Sequence, residues 1–177
     1  MDLFQKLVGV WIPKANDTCL RESTPSGLVR QTTNSDSNSN LSPEAQTLLK
    51  VNEHRKKLRL VSLTMDSKLS DIAFRHSKWM NQNNAASHAG WETGRQQKVL
   101  ACGFKNAGEN LAGGECYDYQ LSEQFTLLVP GWLNSPGHRM VIEIGAFTHT
   151  GIGISMSEQM CETGKRITYY ATQIFGA

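Results

Sequence analysis

The chain has 177 residues, with 18 Lys and Arg against 16 Asp and Glu, a net charge of +2 and 39% apolar residues. Its mean hydropathy is −0.40. These totals suit one globular domain with a tail to spare. They argue against a nucleic-acid binder, which needs a concentrated basic face, and no apolar run reaches membrane-spanning length.

The N-terminal stretch opens Met1-Asp2-Leu3-Phe4-Gln5-Lys6, with only Leu7 to Ile12 as an apolar core before Pro13. It is too short and wrongly flanked for a signal peptide. Leu3, Phe4, Leu7, Val8 and Trp11 fall at helical spacing and predict a short amphipathic helix docked on the body of the protein. Residues 16–40 are poor in apolar side chains, and the run from Thr32 to Asn40 is polar throughout. Such a segment buries too little to offset its ordering entropy. Residues 1–40 therefore read as an extension and flexible linker, and 41–177 as the folded domain.

Ser42-Pro43-Glu44 is a helix start: an N-cap, a proline at the first helical position and an acid at the positive dipole end. That helix runs through Leu48, Leu49 and Asn52 to Leu58, and Asn52 needs a backbone partner among its apolar neighbours. The basic run His54-Arg55-Lys56-Lys57-Leu58-Arg59 reads as a solvated helix face. After the apolar connector 60–65, Asp66 caps a second helix with Leu69, Ile72, Ala73, His76 and Met80 on one face. A lone His at that position reads as a hydrogen-bonded core residue.

Ser87-His88-Ala89-Gly90-Trp91 follows as a loop, a better setting for a functional His. A short helix over 94–100 carries Arg95. Gly108 leads the backbone tightly into Glu109-Asn110, and Gly113-Gly114 reads as a break. Asp118 caps the next helix, whose Leu121, Phe125, Leu128 and Trp132 face inward and which Pro130 should kink or shorten. Asn134-Ser135-Pro136-Gly137 is a turn signal with His138 immediately behind it. The end of the chain alternates as β: 151–157, then 167–175, with a hairpin loop over 158–165. Helices first and strands late predict an α+β fold, helices packed on a small antiparallel sheet.

Three residues in this order carry chemistry: His88, Glu109 and His138. A buried Glu beside two imidazoles is costly unless paired, so a joint His/Glu site is the sharpest reading. Its plain alternative is a structural carboxylate binding backbone N–H groups in a Gly-rich turn. Cys19, Cys102, Cys116 and Cys161 form no Cys-x-x-Cys. Their even number permits two disulfides in three connectivities, and four buried free thiols stand equally open.

Seven stretches in order resemble the CAP superfamily of cysteine-rich secretory proteins, antigen-five allergens and plant pathogenesis-related proteins. They are Asn52-Glu53-His54-Arg55, Ala73…His76-Ser77…Met80, Ser87-His88, Gly108-Glu109-Asn110-Leu111-Ala112, Trp132…Ser135-Pro136-Gly137-His138-Arg139, Gly151-Ile152-Gly153 and Gln173-Ile174-Phe175-Gly176. The Trp-x-x-Ser-Pro-Gly-His-Arg form is similar to the bacterial-type, SCP-like branch.

The resemblance implies an α-β-α sandwich and a cleft lined by His and Glu that can hold zinc or another divalent ion. The family's two His fall on His88 and His138 and one Glu on Glu109. The position of the other Glu is Ser135, and nothing in the sequence brings Glu143 to the cleft. His88 and His138, with Glu109 as a third ligand, are thus the metal candidates. The resemblance further implies an extracytoplasmic protein, stapled by disulfides where they form. Its cleft would engage a lipid, a sterol, or a protein or cell-envelope partner in defence or virulence, with no catalysis required. A metal-assisted hydrolase using His88, His138 and Glu109 is the alternative, weakened by the absence of a His-Glu-x-x-His helix or a Gly-x-Ser-x-Gly nucleophile. A purely structural interaction module is the third reading.

Overall fold

Three long antiparallel strands frame the protein in a computed structural model that describes residues 10–11, 41–162 and 164–177. They are β3 (Ala107–Tyr117), β4 (His149–Cys161) and β5 (Gly164–Gly176). β5 lies in the middle, paired with β3 on one side and β4 on the other. A two-residue strand lies parallel at each edge: β1 (Val10–Trp11) on β3 and β2 (Thr64–Met65) on β4. The sheet order is β1-β3-β5-β4-β2, so the antiparallel core expected from sequence becomes a mixed sheet at its margins. The linker expected over 1–40, and with it Cys19, lies outside the described residues except for Val10 and Trp11. Those two form a strand where the spacing predicts the end of a helix.

The helices are α1 (Pro43–Lys57), α2 (Ser67–Asn83), α3 (Gln96–Ala101), α4 (Leu121–Asn134) and α5 (Pro136–Glu143). Side chains on β5 alternate between two apolar layers, as the strand period requires. Tyr169, Ala171 and Phe175 pack with Val51 of α1, Leu128 and Trp132 of α4, and Val141 and Ile142 of α5. Ile174 points the other way, onto Leu69, Ile72 and Ala73 of α2 and Val99 of α3. Helices therefore cover both faces, and the α-β-α sandwich stands.

Local chemistry explains the elements. Ser42 caps α1 by accepting from the Ala45 amide, with Pro43 at the first position, and Asp66 caps α2 by accepting from the Leu69 amide. The Asn52 amide exchanges both hydrogen bonds with the Leu63 backbone, at 3.0 and 2.8 Å. Gly151 and Gly153 let α2 lie directly on β4: a Cβ at either would come within 2.1 and 2.2 Å of the α2 backbone.

Several sequence expectations are corrected. The Gly108-Glu109 stretch and the break at Gly113-Gly114 are one continuous strand. Gly113 and Gly114 are small because the Tyr170 and Tyr169 side chains pack 2.8 and 2.9 Å from where a Cβ would stand. Asp118 opens a short 3₁₀ turn, Asp118–Gln120, ahead of α4 rather than capping it. The β4–β5 connection is shorter than 158–165, because the ladder continues to the Cys161–Gly164 pair. Pro130 does not interrupt α4.

Arg55 is not on a solvated face. It is fully buried, and its guanidinium donates to the carbonyls of Val61, Ile142, Ile144 and Phe147 at 2.6–3.0 Å. A charge this deep is tolerable because its donors are satisfied by backbone oxygens, including those at the end of α5. Beside it, His54 and Glu143 pair at 2.8 Å, so Glu143 is engaged on the α1 side.

Candidate functional site

The site forms past the β3 edge, where the loop after α2, the π-helical turn Trp91–Arg95 and the first turn of α5 meet. Glu109 is contributed by β3 and points to the α2/α3 side, since its cross-strand partner is Ile174. His88 lies on the loop, as expected. That loop is pinned by His76 of α2, whose Nε2 donates to the Ser87 carbonyl at 2.9 Å. His76 is thus the hydrogen-bonded core residue its spacing predicts.

His138 lies in the first turn of α5, not in a loop: the expected turn is reduced to the extended Ser135, and Pro136 starts a new helix. α5 sits on the opposite face of the sheet from α2, so the two histidines approach from different layers. Asn110, one residue along β3 and on the α5 side, donates to the His138 carbonyl at 3.1 Å. The Trp132 indole donates to the Leu111 carbonyl at 2.9 Å. These bonds lock α4 and α5 to the strand that carries Glu109.

The structure brings all three candidate residues together. Glu109 is almost fully buried and is clasped by Arg95, with Nε to Oε2 at 2.6 Å and a terminal nitrogen to Oε1 at 2.8 Å. His88 Nδ1 lies 2.8 Å from Glu109 Oε1. Burial alone would raise the Glu109 carboxyl, but hydrogen bonds from Arg95 and His88 outweigh it and hold the group below its ordinary value. An ionised Glu accepts only, so His88 Nδ1 is the donor of this bond, and Nε2 is the nitrogen left to face the site. His138 Nδ1 pairs with Ser135 Oγ at 2.9 Å. Burial, reinforced by His88, lowers His138 to about 4, which keeps it neutral at physiological pH.

The two imidazoles stack with centroids 6.3 Å apart. The Nε2 atoms of both are buried and without a hydrogen-bond partner. Buried polar atoms are rarely left so, and a His whose other nitrogen is held by a carboxylate or hydroxyl is the usual metal-ligand arrangement. No group of three or more His, Cys, Asp or Glu is placed for a metal ion among the described residues. Arg95 and His88 together occupy both oxygens of Glu109.

Arg95 is the residue that sequence reasoning missed. The available signal was electrostatic: a buried Glu in this fold demanded a cation, and Arg95 lay on the segment between His88 and Glu109. Ser135, at the position of the family's other Glu, holds His138 instead. Among the described residues, Cys102 and Cys116 are free thiols.

The model of the cysteine-rich secretory protein family, CAP, matches residues 48–175. The chain is 37% identical over 114 residues to the uncharacterised membrane protein YlbC of Bacillus subtilis, covering 63% of this chain and 31% of that protein. It is 34% identical over 105 residues to YkwD of the same organism, covering 58% and 38%. It therefore spans about a third of the length of these curated relatives. An outer surface protein of Borrelia burgdorferi superposes with a TM-score of 0.56 at 21% identity, over 76% of this chain and 91% of that one. An extracellular protein with an SCP domain from Bacillus anthracis superposes with a TM-score of 0.51 at 27% identity, over 76% and 40%. Among the described residues, no helix is long and apolar enough to cross a membrane.

Proposed function

Because the chain belongs to the CAP family of cysteine-rich secretory proteins, we propose that it is an extracytoplasmic binding domain whose His88–His138 pair takes up a divalent cation, zinc foremost. The observation that carries this reading is the pair of buried, partnerless Nε2 atoms on two adjacent imidazoles. His88 and His138 would hold the ion, and water would complete its coordination. Glu109 and Ser135 act behind them, fixing ring orientation, and the Glu109 carboxylate also makes His88 Nδ1 the donor. A bound ion would supply Lewis acidity at this point; the protein's own residues supply two imidazole nitrogens, backed by the Glu109 carboxylate and the Ser135 hydroxyl.

The ligand-binding half of the proposal is supported by a cavity of about 840 Å³ between the start of α1 and α2, with Leu48, Leu49, Met65, Phe74 and Ile152 in its walls. Its apolar lining suits a lipid or sterol. A hydrolase is less favoured. Its general base would be Glu109, whose two oxygens are already committed to Arg95 and His88.

Calorimetric zinc titration at neutral pH tests the metal site. The expected result is one-to-one binding that disappears in a folded His138→Ala variant. No heat with the parent protein would leave the cluster a structural one.

A further inference from the structure

A second cavity, of about 410 Å³, opens between α2 and α3 and is lined in part by Asp71, Arg75, His76, Trp79, Arg95 and Lys98. Its size falls within the range of small-ligand sites. Three of these six side chains are cationic and one is acidic. Asp71 is matched by Arg75 at 2.8 Å and Glu109 by Arg95, so these pairs leave the charge of Lys98 uncompensated. Arg95 carries five N–H donors. Three are used, two on Glu109 and one on the Ala89 carbonyl at 2.9 Å, and two remain. The other wall is aromatic. Trp79 is 43% exposed and stacks nearly parallel on His76, with centroids 5.7 Å apart and an interplanar angle of 12°. His76 is itself fixed by its bond to the Ser87 carbonyl, so the platform is set before any ligand arrives.

We propose that this cavity binds a small organic anion carrying a planar ring. The ring lies against Trp79 and the anionic group meets Lys98 and the remaining donors of Arg95. A bare anion would leave the Trp79 face in water, and a neutral or cationic ring would leave the positive charge unmatched. This site uses neither His88 nor His138 and meets the imidazole cluster through Arg95 and through the bond of His76 to the Ser87 carbonyl.

The test is an NMR titration of the full chain that follows the Trp79 indole N–H and the amides of α2 and α3. The probes are phenyl phosphate, inorganic phosphate, phenol and benzylamine. Saturable shifts confined to α2 and α3 are expected with phenyl phosphate, with a Kd about fivefold or more below that of inorganic phosphate, and no such response to benzylamine. Lys98→Glu, a change at an exposed position, should weaken phenyl phosphate at least about fivefold. Trp79→Ala should abolish the preference for phenyl phosphate over phosphate, and His138→Ala should leave binding unchanged. Shifts scattered over the basic surface, an equal response to benzylamine, or full affinity in Lys98→Glu would overturn the proposal.

Discussion

Arg95 grips Glu109 through two N–H···O bonds, of 2.6 and 2.8 Å, and the Glu109 side chain is 1% exposed. The carboxylate could not stay ionised there without that partner. Arg95→Met should therefore destabilise the fold by about 3–5 kcal/mol, and adding Glu109→Leu should recover part of the loss. Urea denaturation of the parent, both single variants and the double variant measures this. Additive losses in the double variant would show that the two side chains act independently.

The same grip assigns Glu109 a positioning role toward the metal. Glu109→Gln retains an acceptor for His88 Nδ1 and removes the carboxylate charge behind the ligand ring. Zinc affinity should fall by about 10–100-fold, whereas His138→Ala should abolish binding. If calorimetry finds Glu109→Gln as inert as His138→Ala, in a protein that remains folded by circular dichroism, Glu109 is itself a ligand.

Much of this arrangement is legible in the sequence, for physical reasons that differ by residue. The caps Ser42 and Asp66 and the partner of Asn52 follow from chemistry a few residues away. The layered core follows from strand alternation over 167–175. What escapes depends on distant packing. Gly113-Gly114 looks like a break until Tyr169 and Tyr170 are seen across the ladder, and Arg55 looks solvated until four carbonyls converge on it from distant segments. The site residues His88, Glu109 and His138 are identified by motif, but the role of Glu109 changes once Arg95 stands beside it.

His76 makes stability depend on pH. Burial, with help from Arg95, lowers it to about 4 against an ordinary 6.5, overcoming the opposing pull of Glu109 and the Ser87 carbonyl. Between those values the unfolded chain takes up a proton that the folded one refuses. Stability is therefore fully present above about 6.5 and falls as the pH drops towards 4. The full shift corresponds to at most about 3 kcal/mol. His138 is lowered over the same interval, so His76→Gln removes one of two such titrations and should make the pH profile of the unfolding free energy shallower there without flattening it. A profile as steep as the parent's would mean that other groups carry the acid sensitivity.

Pro130 and Lys50 form a compensation that a double-mutant cycle can isolate. A proline inside α4 has no N–H for the carbonyl four residues back, which is Thr126. Lys50 of α1 donates its ammonium to that oxygen at 3.0 Å, tying α1 to α4 at the place where the helix lacks a bond. In the parent, Lys50→Met should cost about 1.5–3 kcal/mol, the range for a hydrogen bond involving a charged group. In a Pro130→Ala background the helix supplies its own donor, and the same substitution should cost less than about 0.5 kcal/mol. Chemical denaturation of the four proteins measures the coupling. An equal cost in both backgrounds would mean that Lys50 contributes through its packing on α4 and not through the carbonyl that Pro130 exposes.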